Sequence, residues 1–111
     1  MGYIYNVTFV ASPEREPDLL NYLTGTLVPR VTENMGGAND LHLRKVMEIG
    51  GETPPPDHGV SIALSAVFNS KDEANAWKVS ILEPALNDFC IRFGHESLYF
   101  VTLLEEIDFK L

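Results

Sequence analysis

Leu86-Asn87-Asp88-Phe89-Cys90-Ile91-Arg92-Phe93-Gly94-His95-Glu96-Ser97-Leu98-Tyr99-Phe100-Val101-Thr102-Leu103-Leu104-Glu105-Glu106-Ile107 is the stretch on which the fold turns. It reads as the end of a helix, a glycine stop, a short polar turn and a strand. Phe89, Ile91 and Phe93 crowd the last helical turns. Gly94 can take a positive φ without a side-chain clash. Ser97 to Leu104 then runs apolar on both faces, as a strand covered on both sides does.

Working outward, a matching strand is expected at the other end of the chain, over Tyr3–Val10. Tyr3, Tyr5, Val7 and Phe9 form one of its faces, and Ile4, Asn6, Thr8 and Val10 the other. Ser12-Pro13-Glu14 reads as a helix start, with serine as N-cap and proline at the first helical position. Pro17 allows a second start at Pro17-Asp18. Leu20, Leu23, Leu27 and Val31 fall on one stripe of that helix. Pro29 should kink it at the carbonyl of Gly25, and Gly36-Gly37 ends it.

Leu41 to Ile49 alternates as a half-buried strand. Leu41, Leu43, Met47 and Ile49 share one face, and His42, Arg44, Val46 and Glu48 the other. Gly50 to Gly59, with Pro54-Pro55-Pro56 inside it, reads as a rigid exposed arm. Val60–Phe68 is the next strand, with Ile62, Leu64, Ala66 and Phe68 on its apolar face and Ser61, Ala63, Ser65 and Val67 on the smaller one. Ser70-Lys71-Asp72-Glu73 is a capping box that opens the second helix, which Pro84 interrupts.

The order is β-α-β-β-α-β across a single domain, residues 1–111. It fits an α+β, ferredoxin-like fold: a four-stranded antiparallel sheet with both helices on one face and the first and third strands in the centre. Two helices cover only one side of such a sheet. The other side keeps Ile4, Val10, Val46, Ala63 and Val67, so the expected cover is a second copy of the sheet, giving a homodimer and a dimeric α+β barrel.

Composition excludes several classes of function. Hydrophobic residues make up 45% of the chain and aromatic residues 10%, which excludes a disordered protein. Sixteen acidic residues oppose eight basic ones, for a net charge of −8, so neither a nucleic acid nor an anionic membrane is an expected partner. No apolar run approaches the length that spans a bilayer, and no signal peptide opens the chain, so a cytoplasmic location is expected. The single cysteine, Cys90, can form neither a disulfide framework nor a thiolate metal cluster within one chain, and reads as a buried, inert thiol. His42, His58 and His95 lack metal-ligand spacing, and no glycine-rich phosphate loop follows a strand. No metal and no cofactor are expected.

Tyr3 to Thr8, the Leu27-Val28-Pro29 turn, Leu41-His42-Leu43-Arg44-Lys45-Val46 and Arg92-Phe93-Gly94 leading to Val101-Thr102-Leu103-Leu104-Glu105 together resemble a family of small bacterial proteins. That family is catalogued as a domain of unknown function and resembles the dimeric α+β barrel superfamily. The likeness covers nearly the whole chain apart from the proline-rich arm. It implies the fold and a dimer, and no activity. Members often carry His-x-Pro before the helix prolines; this chain has Leu27 and Leu82 there, so a site built on those histidines is absent or changed.

Candidate ligand-binding residues are the polar members of the second sheet face: Asn6, Thr8, His42, Arg44, Glu48, Ser61 and Ser65. Thr102 joins them if its strand has that parity, with Tyr99 and Glu105 as the alternatives. Arg44 could fork a carboxylate or phosphate, and His42 could take a proton with Glu48 orienting it. The same groups could equally serve as hydrogen-bonding partners with no ligand. Three functions stay open: a homodimer binding a small polar or aromatic molecule between its sheets, an enzyme resembling cofactor-independent monooxygenases or isomerases, and a structural or partner-binding dimer with a solid interior.

Overall fold

The chain folds as a slab of 38 × 38 × 18 Å, about the thickness of one helix layer on one sheet. The structure is a computed structural model and describes residues 2–33, 38–48, 50–52 and 59–110, with only the backbone for 38 and 39. The strands are β1 (Tyr3–Ala11), β2 (Ala38–Lys45), β3 (Val60–Phe68) and β4 (Ser97–Glu105). They lie in the order β2-β3-β1-β4, all neighbours antiparallel, with β1 and β3 central as expected. The arrangement is ferredoxin-like.

Two long helical runs cover one face. The first has a 3₁₀ turn at Pro13–Arg15, then α1 (Glu16–Tyr22), a π turn at Leu23–Leu27 and α2 (Val28–Thr32). The second has α3 (Lys71–Trp77), a π turn at Lys78–Leu82 and α4 (Glu83–Phe93). Ser12 is extended and makes no side-chain cap, so α1 starts after the 3₁₀ turn, with Pro17 inside its first turn. Ser70 does cap α3, its hydroxyl accepting from the Glu73 N–H at 3.1 Å.

Both prolines expected to kink a helix are met by the same device. The Val28 N–H donates to Leu23 C=O, five residues back, and the Glu83 N–H donates to Lys78 C=O. Pro29 and Pro84 follow each wide turn by one residue, and the extra residue eases each ring away from the carbonyl four residues earlier. The wide turn also resets the buried stripe. Leu19, Leu23, Leu27 and Val31 are all buried, and a strict four-residue spacing would drift about 40° per step on an ordinary α-helix. Leu20 accordingly lies beside the stripe. Gly25 is not what makes room, since a Cβ built there meets nothing within 4 Å.

The core lies between helices and sheet. Val7, Phe9, Ile62, Leu64, Ala66 and Phe68 supply the sheet side. Phe89 stacks on Phe93 at 4.8 Å, and Tyr22 meets Phe93 edge-on at 5.4 Å. The Trp77 indole N–H donates to Val31 C=O at 3.2 Å and ties the two helical runs together.

Two expectations are corrected. Cys90 is exposed, because Phe89 and Phe93, four apart, point at the sheet and turn Cys90 and Ile91 outward. The second strand is displaced: it begins at Ala38, carries a bulge between Ala38 and Asp40, and ends at Lys45. One residue past its end the Val46 N–H still donates to Ser61 C=O, close to the start of β3 at Val60. β4 is an edge strand, as the expected order requires, and much of its apolar surface is open in the single chain. Gly36-Gly37, Ile49, the three prolines of the arm and His58 lie outside the described residues.

Candidate functional site

The face of the sheet away from the helices is bare, and the strand registers place its side chains in four rows running across the strands. Asp40, Val67, Ile4 and Leu104 form the first, and His42, Ser65, Asn6 and Thr102 the second. Arg44, Ala63, Thr8 and Phe100 form the third, and Val46, Ser61, Val10 and Leu98 the fourth. The second row is polar on all four strands. The rows around it are mainly apolar over β3, β1 and β4, with charge gathered at the β2 end.

The rows resolve the parity of β4. Thr102 pairs with Asn6 and belongs to the bare face, whereas Tyr99 and Glu105 share parity with the helix-facing residues. Asn6, His42 and Ser65 sit in the polar row itself. Thr8 and Arg44 reach it from the next row: the Asn6 amide donates to Thr8 Oγ1 at 3.1 Å, and Arg44 donates to Ser65 Oγ at 3.2 Å. Ser61 lies two rows from it. Glu48 is exposed in irregular chain beyond the end of β2, so it is not part of the ladder that carries His42.

Asp40 takes the place expected of Glu48. Its carboxylate lies 2.6 Å from His42 Nε2, two residues away on the same strand face. The signal was present as Asp-x-His, whose period of two puts both side chains on one side of a strand. A strand taken to begin at Leu41, three residues after its start at Ala38, leaves Asp40 out. A carboxylate on imidazole fixes the orientation of the ring, as general acid–base sites do.

Arg44 differs from the four of the eight basic residues that are ion-paired. Arg15 lies against Asp18 and Glu96, Arg30 against Asp88, Lys45 against Glu16 and Lys78 against Glu83. Among the described residues no carboxylate pairs with Arg44. Its guanidinium therefore carries a charge on the bare face with only the Ser65 hydroxyl as partner.

Two clefts open elsewhere. One of about 570 Å³ lies at the end of the sheet where β1 leaves and β4 begins, lined by Val10, Pro13, Arg15, His95 and Leu98 among others. The second, of about 400 Å³, lies between the second helical run and β4, lined by Lys78, Leu82, Leu86, Tyr99 and Val101 among others. Burial pushes the Tyr99 phenol above its ordinary pKa, helped by a hydrogen bond with Cys90. Neither cleft touches His42 or Arg44. Among the described residues no group of three or more His, Cys, Asp or Glu is placed to hold a metal, and no helix is long and apolar enough to cross a membrane.

Residues 2–107 match the family described as a Domain of unknown function (DUF4286), and the chain belongs to that family. No protein of curated function matches it. Solved structures share its fold at low identity. An ethyl tert-butyl ether d (EthD) family protein from Bacillus halodurans has a TM-score of 0.69 at 11% identity, over 95% of this chain and 99% of that one. A dimeric ferredoxin-like protein from an uncultured marine organism has a TM-score of 0.68 at 11% identity, over 96% of this chain and 98% of that one. A candidate antibiotic biosynthesis monooxygenase from Chloroflexus aurantiacus has a TM-score of 0.51 at 15% identity, over 97% of each chain. At these identities the likeness shows the fold and carries no chemistry.

Proposed function

We propose that this DUF4286 chain works as a homodimer, its two bare sheet faces pressed together, and holds a small polar or aromatic molecule against the row His42-Ser65-Asn6-Thr102. The observation that carries this reading is that row: hydrogen-bonding side chains on all four strands, set between rows that carry Ile4, Val10, Val67, Leu98, Phe100 and Leu104. Apolar surface of this extent on one side of a sheet favours removal from water at about 25 cal/mol per Å². Once the face is covered, the polar row needs partners, and a bound molecule can supply them. The description of one structural neighbour as dimeric agrees with the assembly. The location we propose is the cytoplasm of a bacterium.

Native mass spectrometry of the purified protein tests this. The expected result is a dimer carrying a co-purified small molecule, lost when Asn6→Leu and Ser65→Val are combined while the dimer persists. A dimer that carries nothing and binds no small polar or aromatic compound would leave only the solid-interior alternative. A second reading, an enzyme that transfers a proton, is favoured by the Asp40–His42 contact. Once a turnover is found, Asp40→Asn and His42→Gln should both suppress it.

A further inference from the structure

On the helix side of the sheet, we propose that the 400 Å³ cleft between the second helical run and β4 binds a free α-amino acid with an apolar side chain. The inference does not depend on the dimer, because pressing the bare faces together leaves this side open. The π turn at Lys78–Leu82 builds the charged rim. Its wide hydrogen bond, from the Glu83 N–H to Lys78 C=O, brings residues five apart to one side of the helix, and Lys78 and Glu83 both line the cleft. Asn87, one turn after Glu83, lines it as well. Leu82 and Leu86, also one turn apart, supply apolar lining from the helix. Tyr99 and Val101, alternate residues of β4 with helix-facing parity, supply it from the strand.

The rim carries one charge of each sign, and the pair they form is loose. Lys78 Nζ stands 3.9 Å from the Glu83 carboxylate, whereas the Arg15 and Lys45 pairs close to 2.9 Å or less. Both side chains are part-exposed, and an open pair of this kind adds little to folding, so a ligand separates it at small cost. The Tyr5 ring, with its centre 5.8 Å from Nζ, keeps the ammonium at the rim. A simple carboxylic acid would meet Lys78 but set its charge beside Glu83, in a chain of net charge −8. A simple amine would meet Glu83 and set its charge beside Lys78. A zwitterion answers both: its carboxylate takes Lys78 Nζ, with the Asn87 amide as a second donor, and its ammonium takes Glu83. The apolar side chain then lies against Leu82, Leu86 and Val101. Tyr99 offers it the ring, its hydroxyl being engaged by Cys90. Apolar walls with a few convergent polar groups are what small-ligand sites of this size use.

Isothermal titration calorimetry on the full-length chain tests this, with L-leucine and L-phenylalanine as probes. The expected result is that at least one of them binds, one molecule per chain, with a Kd of about 1 mM or tighter. The analogues of that probe lacking the amino group or lacking the carboxylate should bind about tenfold more weakly, and glycine should give no binding heat. Lys78→Gln and Glu83→Gln should each weaken binding by about tenfold, with the thermal midpoint unchanged because both side chains sit at the surface. Failure of both amino acids to bind overturns the inference. Binding that survives either rim variant unchanged also overturns it, because the amino acid is then held elsewhere, the polar row included. An analogue that binds as tightly as its parent overturns the choice of a zwitterion. Lys78→Gln should leave the dimer and any molecule held by the polar row untouched, so loss of that molecule in this variant overturns the separation of the two sites. A dimer that carries nothing on its bare face leaves the present inference standing.

Discussion

Phe100→Ser is the most direct probe of the bare face. Phe100 is 59% exposed and stands in the middle of β4, in the row next to the polar one. A phenylalanine side chain buries roughly 200 Å² when fully covered, so a second sheet would remove about 120 Å² of this one from water. At ~25 cal/mol per Å² that is about 3 kcal/mol for each copy, and symmetry doubles it. Truncation should raise the dimer dissociation constant by about four powers of ten. The folded monomer should be unaffected to within roughly 0.5 kcal/mol, because the ring is not part of the chain's own core. Ile91→Ser is the control: Ile91 is more exposed, at 84%, but on the helix side, so its loss should leave association unchanged. Sedimentation equilibrium over a range of concentrations measures both. A dissociation constant that moves less than threefold for Phe100→Ser, or as far for Ile91→Ser, would refute the assignment of the bare face as the interface.

Other predictions follow from particular contacts. Gly25→Ala should stabilise the chain by about 0.5–1 kcal/mol in urea unfolding, since the new Cβ meets nothing within 4 Å; a loss of stability would mean the wide helical turn needs glycine. Tyr22 and Tyr99 should ionise above the ordinary value of 10.0, chiefly because burial disfavours the phenolate, with Asp88 adding at Tyr22 and the Cys90 hydrogen bond at Tyr99. The unfolded chain releases these protons first, so their contribution is complete below pH 10.0 and falls as pH rises through the raised folded values. Tyr22→Phe should flatten that decline in stability measured from pH 9 to 11, and an identical slope would show that Tyr22 contributes nothing to it.

Much of this fold was legible because its strands alternate against a single buried layer. Val7 and Phe9, and Ile62, Leu64, Ala66 and Phe68, were assigned to the core by period alone, and all are buried. The helices were less transparent for a physical reason. A π turn adds a residue, so a period of 3.6 picks Leu20 for the first stripe where the chain buries Leu19. The faces of β1 and β3 were legible: Asn6, Thr8, Ser61 and Ser65 share the side away from the helices, as their alternation implies. The bounds of β2 were not, because the end of a strand depends on where its neighbour stops pairing. Nothing in Val46-Met47-Glu48 announces that β3 begins only at Val60.

The apolar character of β4 carries the remaining weight. Eight residues from Ser97 to Leu104 contain no charge, proline or glycine, and the ladder to β1 is regular along all nine pairs. Such a pattern suits a strand buried on both faces, yet in the single chain β4 is an outer strand with Leu98 61% exposed. The other edge is protected in the usual ways: β2 has a bulge after Ala38 and carries Asp40, Arg44 and Lys45. Two edges of one sheet treated so differently argue against an accident of composition. A bare, neutral edge strand promotes aggregation unless something covers it, and in an acidic chain that keeps charge on β2 the simplest cover is the chain itself. The pattern of β4 therefore fits the dimer proposed above, in which a second copy would cover Leu98 and Phe100.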